Sequence, residues 1–105
     1  MDDAKALEAA GAFGIVLEGL AEAVAANISS AVSALTIGIG ASVSCDGQIL
    51  VTEDMLGLSG SRVPKFVKRY ANLENEMRQA VERYADEVRS SKFPELQHCF
   101  AVKKD

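Results

Sequence analysis

Residues 13–39 read FGIVLEGLAEAVAANISSAVSALTIGI. The segment opens on Phe13-Gly14-Ile15-Val16-Leu17, a short continuous apolar run of the kind that a strand buried on both faces shows. It closes on a second such run, Leu35-Thr36-Ile37-Gly38-Ile39. Between them Leu20, Val24, Ile28, Val32 and Leu35 recur at spacings of four and three, which predicts a helix from about Leu20 to Ala34 with one apolar stripe. Strand, amphipathic helix and strand in that order form the unit of a parallel sheet with right-handed crossovers.

The flanks continue the alternation. Asp2 to Ala10 reads as the end of a helix, with an acidic first turn, an Ala-rich body and Gly11 as its stop. After Ile39, a loop from Gly40 to Gly47 leads to a third apolar run, Gln48-Ile49-Leu50-Val51-Thr52. A turn-rich segment follows from Glu53 to Pro64. The last long helix is predicted from about Asn72 to Ser90, with Leu73, Met77, Ala80, Val81, Tyr84 and Val88 as its stripe. Asn72 is placed to cap it, and Glu74 and Glu76 suit the positive end of its dipole. Glu74 with Arg78, and Arg83 with Glu87, are i,i+4 pairs on a solvated face. Phe93-Pro94 ends the regular structure. The class is α/β with about three parallel strands. So few strands leave open edges and need helices on both faces. The pattern is that of a piece of something larger, or of a subunit that pairs with another chain.

Composition narrows the function classes. At 105 residues the chain is one domain at most, and 49% apolar with 25% charged residues is globular composition. Eleven Lys and Arg against fifteen Asp and Glu leave a net charge of −4, without the basic stripe that phosphate backbones require. Only the tail Lys103-Lys104 is locally basic, so no nucleic-acid partner is expected. The weakly polar stretch Ala9 to Ala26 is interrupted by Glu18 and Glu22, whereas a membrane span needs about 20 consecutive apolar residues. Met1-Asp2-Asp3 lacks the basic start of a secretory signal. Cys45 and Cys99 are expected as free thiols in a reducing cytoplasm.

Several residues have chemical potential. Glu18 directly follows the first apolar run, and the carboxyl ends of the strands form the ligand face of a parallel α/β sheet. Two readings stand for it: a general base, or a charge stabilised at the start of the next helix. Ile37-Gly38-Ile39-Gly40 lacks the third glycine of a dinucleotide loop, since Val43 stands there. Its glycines either bring backbone close to a ligand or permit tight packing. Asp46-Gly47 reads as a turn. Glu53-Asp54 is a weak candidate for a divalent metal without a second cluster. Cys45, His98 and Cys99 lack the paired spacing of a zinc site, and Cys99-Phe100 beside His98 reads as packing of a C-terminal arm. No serine sits in a nucleophile elbow.

Four runs together resemble the ketopantoate hydroxymethyltransferase family: Thr36-Ile37-Gly38-Ile39-Gly40-Ala41, Asp46-Gly47-Gln48-Ile49-Leu50-Val51, Asp54-Met55-Leu56-Gly57-Leu58 and Pro64-Lys65-Phe66. Ala9-Ala10-Gly11-Ala12-Phe13 and Val16-Leu17-Glu18 fit upstream. Tyr70-Ala71-Asn72-Leu73, Tyr84, Glu87-Val88, Phe93-Pro94, His98 and Phe100 fit downstream. The resemblance implies a (β/α)8 TIM barrel that assembles into a large homo-oligomer. It implies transfer of a hydroxymethyl group from 5,10-methylenetetrahydrofolate to 3-methyl-2-oxobutanoate, giving 2-dehydropantoate for pantothenate synthesis. It also implies Mg²⁺ that holds the keto acid, and a glutamate at a strand end that takes the C3 proton. Glu18 matches that glutamate.

A (β/α)8 barrel typically needs about 250 residues. The resemblance therefore implies the C-terminal part alone: residues 1–71 as the last β/α units, 72–105 as the C-terminal helix and tail. The family's metal ligands and substrate lysine match nothing in this chain. Other departures fall near the ligand face: Leu20-Ala21-Glu22 where the family has a proline, Ala34-Leu35 for Ile-Pro, Ser42-Val43 for Gly-Asn, and Glu53 for His. Two hypotheses follow. The chain is a piece of the transferase, inactive without the missing N-terminal portion, or it is a non-catalytic α/β oligomerisation or interaction module derived from the family.

Overall fold

The computed structural model describes residues 1–103, so Lys104 of the basic tail and Asp105 lie outside the described residues. Helix α1 spans Asp2–Ala9, strand β1 Gly14–Leu17, helix α2 Glu22–Ala31, strand β2 Leu35–Gly38 and strand β3 Gly47–Gln48. A short helix α3, Thr52–Met55, precedes a long helix α4, Leu73–Arg89, and a 3-10 turn at Leu96–His98. The strands form one parallel sheet in the order β1-β2-β3. The α/β class and the three parallel strands therefore stand as expected.

Register divides the sheet into two unlike sides. Ile15 pairs with Thr36, and Leu17 with Gly38 and then Gln48. This side is covered: Ile15, Leu17 and Thr36 are buried, and Ala25 and Ile28 of α2 share their core. The alternating residues, Gly14, Val16, Leu35 and Ile37, form the other side. There Val16 is 55% and Leu35 57% exposed, so the second apolar face has no cover within this chain. The helix stripe is narrower than its spacing predicts. Small Ala25, completely buried, lets α2 approach the sheet, while Val24 stays exposed.

Polar groups tie these layers together. Glu8 Oε1 accepts the N–H groups of Ser33 and Ala34 at 2.5 and 2.8 Å, fixing α1 to the turn before β2. Asp46 exceeds its expected turn role. Its Oδ2 accepts the Thr36 backbone N–H at 2.8 Å and the Thr36 hydroxyl at 3.2 Å. In return the Asp46 N–H donates to Thr36 Oγ1 at 3.3 Å. The carboxylate thus serves β2 where β3 has not yet begun.

The remaining differences have local causes. β3 is shorter than the run 48–52, because β2 ends in a turn at Gly40 (φ +61°), leaving only one further ladder bond, Ile49 N–H to Gly38 O at 2.9 Å. The chain then winds into α3, whose first turn carries Glu53 and Asp54 where the helix dipole favours acids. α2 stops at Ala31 because Val32 is already extended (φ −110°, ψ 152°). Asn72 occupies the position before α4 but its side chain makes no cap hydrogen bond. Arg78 meets Glu74 at 3.2 Å, whereas Arg83 and Glu87 do not pair and Arg89 reaches Asp86 instead. In the arm, Phe93 packs edge-on against Tyr84 and beside His98, while Phe100 is fully exposed rather than packed.

Candidate functional site

The carboxyl ends of the three strands lie side by side, and the segments after them carry the polar residues of interest. β1 runs into Glu18 and turns at Gly19 (φ +67°), a left-handed conformation that suits glycine. Glu18 is exposed and makes no hydrogen bond or ion pair with the described residues. It stands one residue past the end of β1, two positions beyond Val16 of the uncovered side.

On the covered side the strand ends border an open cavity of about 630 Å³. Leu20 and Glu22 from the β1–α2 connection, Ser42 from the β2–β3 loop, Gln48 of β3, and Lys65 with Phe66 line it. Ser42 is buried and donates from Oγ to Glu22 Oε1 at 2.7 Å. Gln48 Nε2 donates to the Ser42 carbonyl at 2.7 Å. Gly40 explains the tight wall: its φ is +61°, and a Cβ there would lie 2.9 Å from both the Phe66 Cβ and carbonyl oxygen. The glycines of the β2 end therefore serve close packing. Gly38 is equally enclosed, with Gln48 Oε1 and Cys45 Sγ 3.0 and 3.1 Å from where its Cβ would be.

Other candidates separate. Glu53 and Asp54 sit on α3, apart from a third carboxylate. Cys45 is buried near Ser29, whereas His98 and Cys99 lie in the exposed arm; both cysteines are free thiols. Among the described residues no three His, Cys, Asp or Glu side chains converge as a metal-binding group. The donor set present does not fit a divalent ion held by this chain alone. Sequence reading missed the joint placement of Glu22, Ser42 and Lys65. Their signal was the departure from the family pattern at Glu22 and Ser42, and the Pro64-Lys65-Phe66 run. Among the described residues no helix is long and apolar enough to cross a membrane.

Comparison with known proteins gives a consistent result. The family model described as ketopantoate hydroxymethyltransferase matches residues 1–96. The chain is 58% identical over 100 residues to the 3-methyl-2-oxobutanoate hydroxymethyltransferase of Bordetella petrii, covering 95% of this chain and 36% of that protein. It is 57% identical over 104 residues to the enzyme so named in Mesorhizobium japonicum, covering 99% of this chain and 36% of the relative. With the Clostridium beijerinckii protein of that name it shares 57% identity over 102 residues, covering 97% and 37%. The chain thus spans about a third of the length of the curated relatives it matches.

Proposed function

Because the chain belongs to the ketopantoate hydroxymethyltransferase family, we propose that it supplies part of the site of a 3-methyl-2-oxobutanoate hydroxymethyltransferase acting in the cytoplasm. In this reading residues 1–71 are the last β/α units of a (β/α)8 barrel and residues 72–105 its C-terminal helix and tail. The uncovered sheet side, with Val16 and Leu35 about half exposed, is what a barrel interior looks like without its other strands. The exposed apolar stripe of α4 is then a contact surface for the remainder of the enzyme or for another subunit of a homo-oligomer.

The observation that supports the reading is the position of Glu18 directly after the carboxyl end of β1, two residues beyond Val16 of the uncovered sheet side. A carboxylate there is placed to take the C3 proton of 3-methyl-2-oxobutanoate. Water hydrolyses the methylene bridge of 5,10-methylenetetrahydrofolate, the C–N bonds break to release tetrahydrofolate, and the carbon nucleophile attacks the resulting formaldehyde carbonyl, whose protonated oxygen becomes the hydroxyl of 2-dehydropantoate. In this reading the Mg²⁺ that the family implies is held by the part of the barrel that this chain does not supply, in keeping with the lack of a converging ligand group among the described residues.

A chimera tests the proposal. This chain replaces the matching segment of the Bordetella petrii relative, and formation of 2-dehydropantoate is measured. Turnover within about tenfold of the parent supports the proposal. A folded chimera without turnover favours the second reading, a non-catalytic interaction module, which the exposed α4 stripe also suits.

A further inference from the structure

Glu18 sits in a connection that is tied down at both ends and loose between them. The upstream end is fixed where the Leu17 carbonyl accepts the Ile39 N–H at 3.1 Å. The downstream end is fixed by side chains, since Ser42 Oγ donates to Glu22 Oε1 at 2.7 Å. Between these points Glu18, Gly19 and Leu20 make no hydrogen bond with the described residues, and the chain turns at Gly19 with φ +67°. A glycine turn restrains its neighbours little. The connection also has no proline to fix a φ angle. The bond from Ser42 is directed and well anchored. Ser42 Oγ accepts the Ser44 N–H at 3.1 Å, which leaves its one hydroxyl proton for the Glu22 carboxylate. Ser42 is only 6% exposed, and its carbonyl accepts Gln48 Nε2 at 2.7 Å and the Cys45 N–H at 3.3 Å. The latch thus ties the β1–α2 connection to the end of β3.

We propose that Ser42 and Glu22 are positioning residues for Glu18: their hydrogen bond holds residues 18–21 in the conformation that brings the Glu18 carboxylate to the C3 proton of the keto acid. This rests on the proposed function, which takes Glu18 as the base. A short hydrogen bond to a carboxylate is of the strong, charge-assisted class. Misplacing a reacting group by about 1 Å can cost about a hundredfold in rate, so a restraint on this connection acts on turnover. It acts on the base and not on substrate binding, so KM is left alone.

Deuterium exchange at C3 of 3-methyl-2-oxobutanoate by the chimera tests this. Ser42→Ala is expected to lower kcat for exchange by about tenfold or more, with KM within about twofold of the parent. Glu22→Ala should do the same, and the double variant should lose no more than either single one, as partners in one bond do. Glu22→Gln keeps an acceptor oxygen and should lose less than Glu22→Ala. Glu22 is exposed, so this pair of variants carries the comparison even if Ser42→Ala fails to fold. Ala21 has φ −62°, and its N–H makes no hydrogen bond with the described residues, so a proline fits there. Adding Ala21→Pro to Ser42→Ala should recover most of the lost kcat, which a merely structural role of Ser42 would not predict. A smaller fall in kcat, a loss shared with KM, additive losses in the double variant, or no recovery with Ala21→Pro overturns the inference and leaves Glu18 as the base. Exchange that Glu18→Gln does not lower overturns the proposed function, and this inference with it.

Discussion

Thr36 is completely buried, and its backbone N–H is served by the Asp46 carboxylate rather than by a strand. Removing that acceptor strands a buried donor, a cost of about 1–3 kcal/mol. Asp46→Ala is expected to lower stability by that amount in urea denaturation, and Asp46→Asn, which keeps an acceptor oxygen, by less. Two glycines offer a paired comparison. Gly57 (φ +74°) and Gly60 (φ +81°) share the left-handed backbone, but a Cβ at Gly57 would lie 2.3 Å from the Ala71 carbonyl oxygen, while at Gly60 it meets nothing within 4 Å. Gly60→Ala should cost about 1–2 kcal/mol through backbone conformation alone. Gly57→Ala should cost more, because the clash is with backbone that has no rotamer to escape into. Unfolding midpoints of the two variants check the order; equal midpoints would contradict it.

Among the elements, the unit β1-α2-β2 was legible because two continuous apolar runs flank a period of three to four. The register, and with it the split into a covered and an uncovered side, was not legible, since Ile15 and Val16 are equally apolar and only pairing tells their sides apart. β3 was read too long because apolar Ile49, Leu50 and Val51 look like strand, yet β2 ends before they can pair. α3 was hidden by its brevity, although Glu53 and Asp54 in its first turn were a usable signal. The place of Glu18 directly after β1 was legible from its position, whereas Glu22 and Ser42 meet only through a contact twenty residues apart in sequence. α4 was legible as a helix, but not that its stripe stays bare: Met77 is 59% and Val81 66% exposed. Val81→Asp should therefore shift the stability of this chain by no more than about 0.5 kcal/mol. In the chimera, where the proposal has the stripe covered, the same substitution should lower the melting temperature by several degrees, since it buries an unpaired charge. Equal, negligible effects in both proteins would show that α4 is not a contact surface.

The whole chain exposes 8270 Å², against about 5,700 Å² for a monomeric protein of 11.1 kDa. Its radius of gyration is 24.1 Å and its extents are 75 × 36 × 18 Å, where about 13 Å is the radius of a compact domain of this length. The bare sheet side and the exposed stripe of α4 contribute to the excess area, and both excesses are what the proposed reading of the chain as part of a larger barrel expects. The proposed site divides in the same way: in that reading this chain supplies Glu18, while no metal-binding group of three side chains forms among its described residues. The most direct measurement is proton NMR of 3-methyl-2-oxobutanoate in deuterium oxide with the chimera and magnesium, following loss of the C3 signal. Loss well above the buffer rate, reduced at least a hundredfold by Glu18→Gln in an equally stable protein, is the predicted result. Exchange that Glu18→Gln leaves unchanged, or none from a folded chimera, would contradict the assignment of Glu18 as the base and of this chain as part of the transferase site.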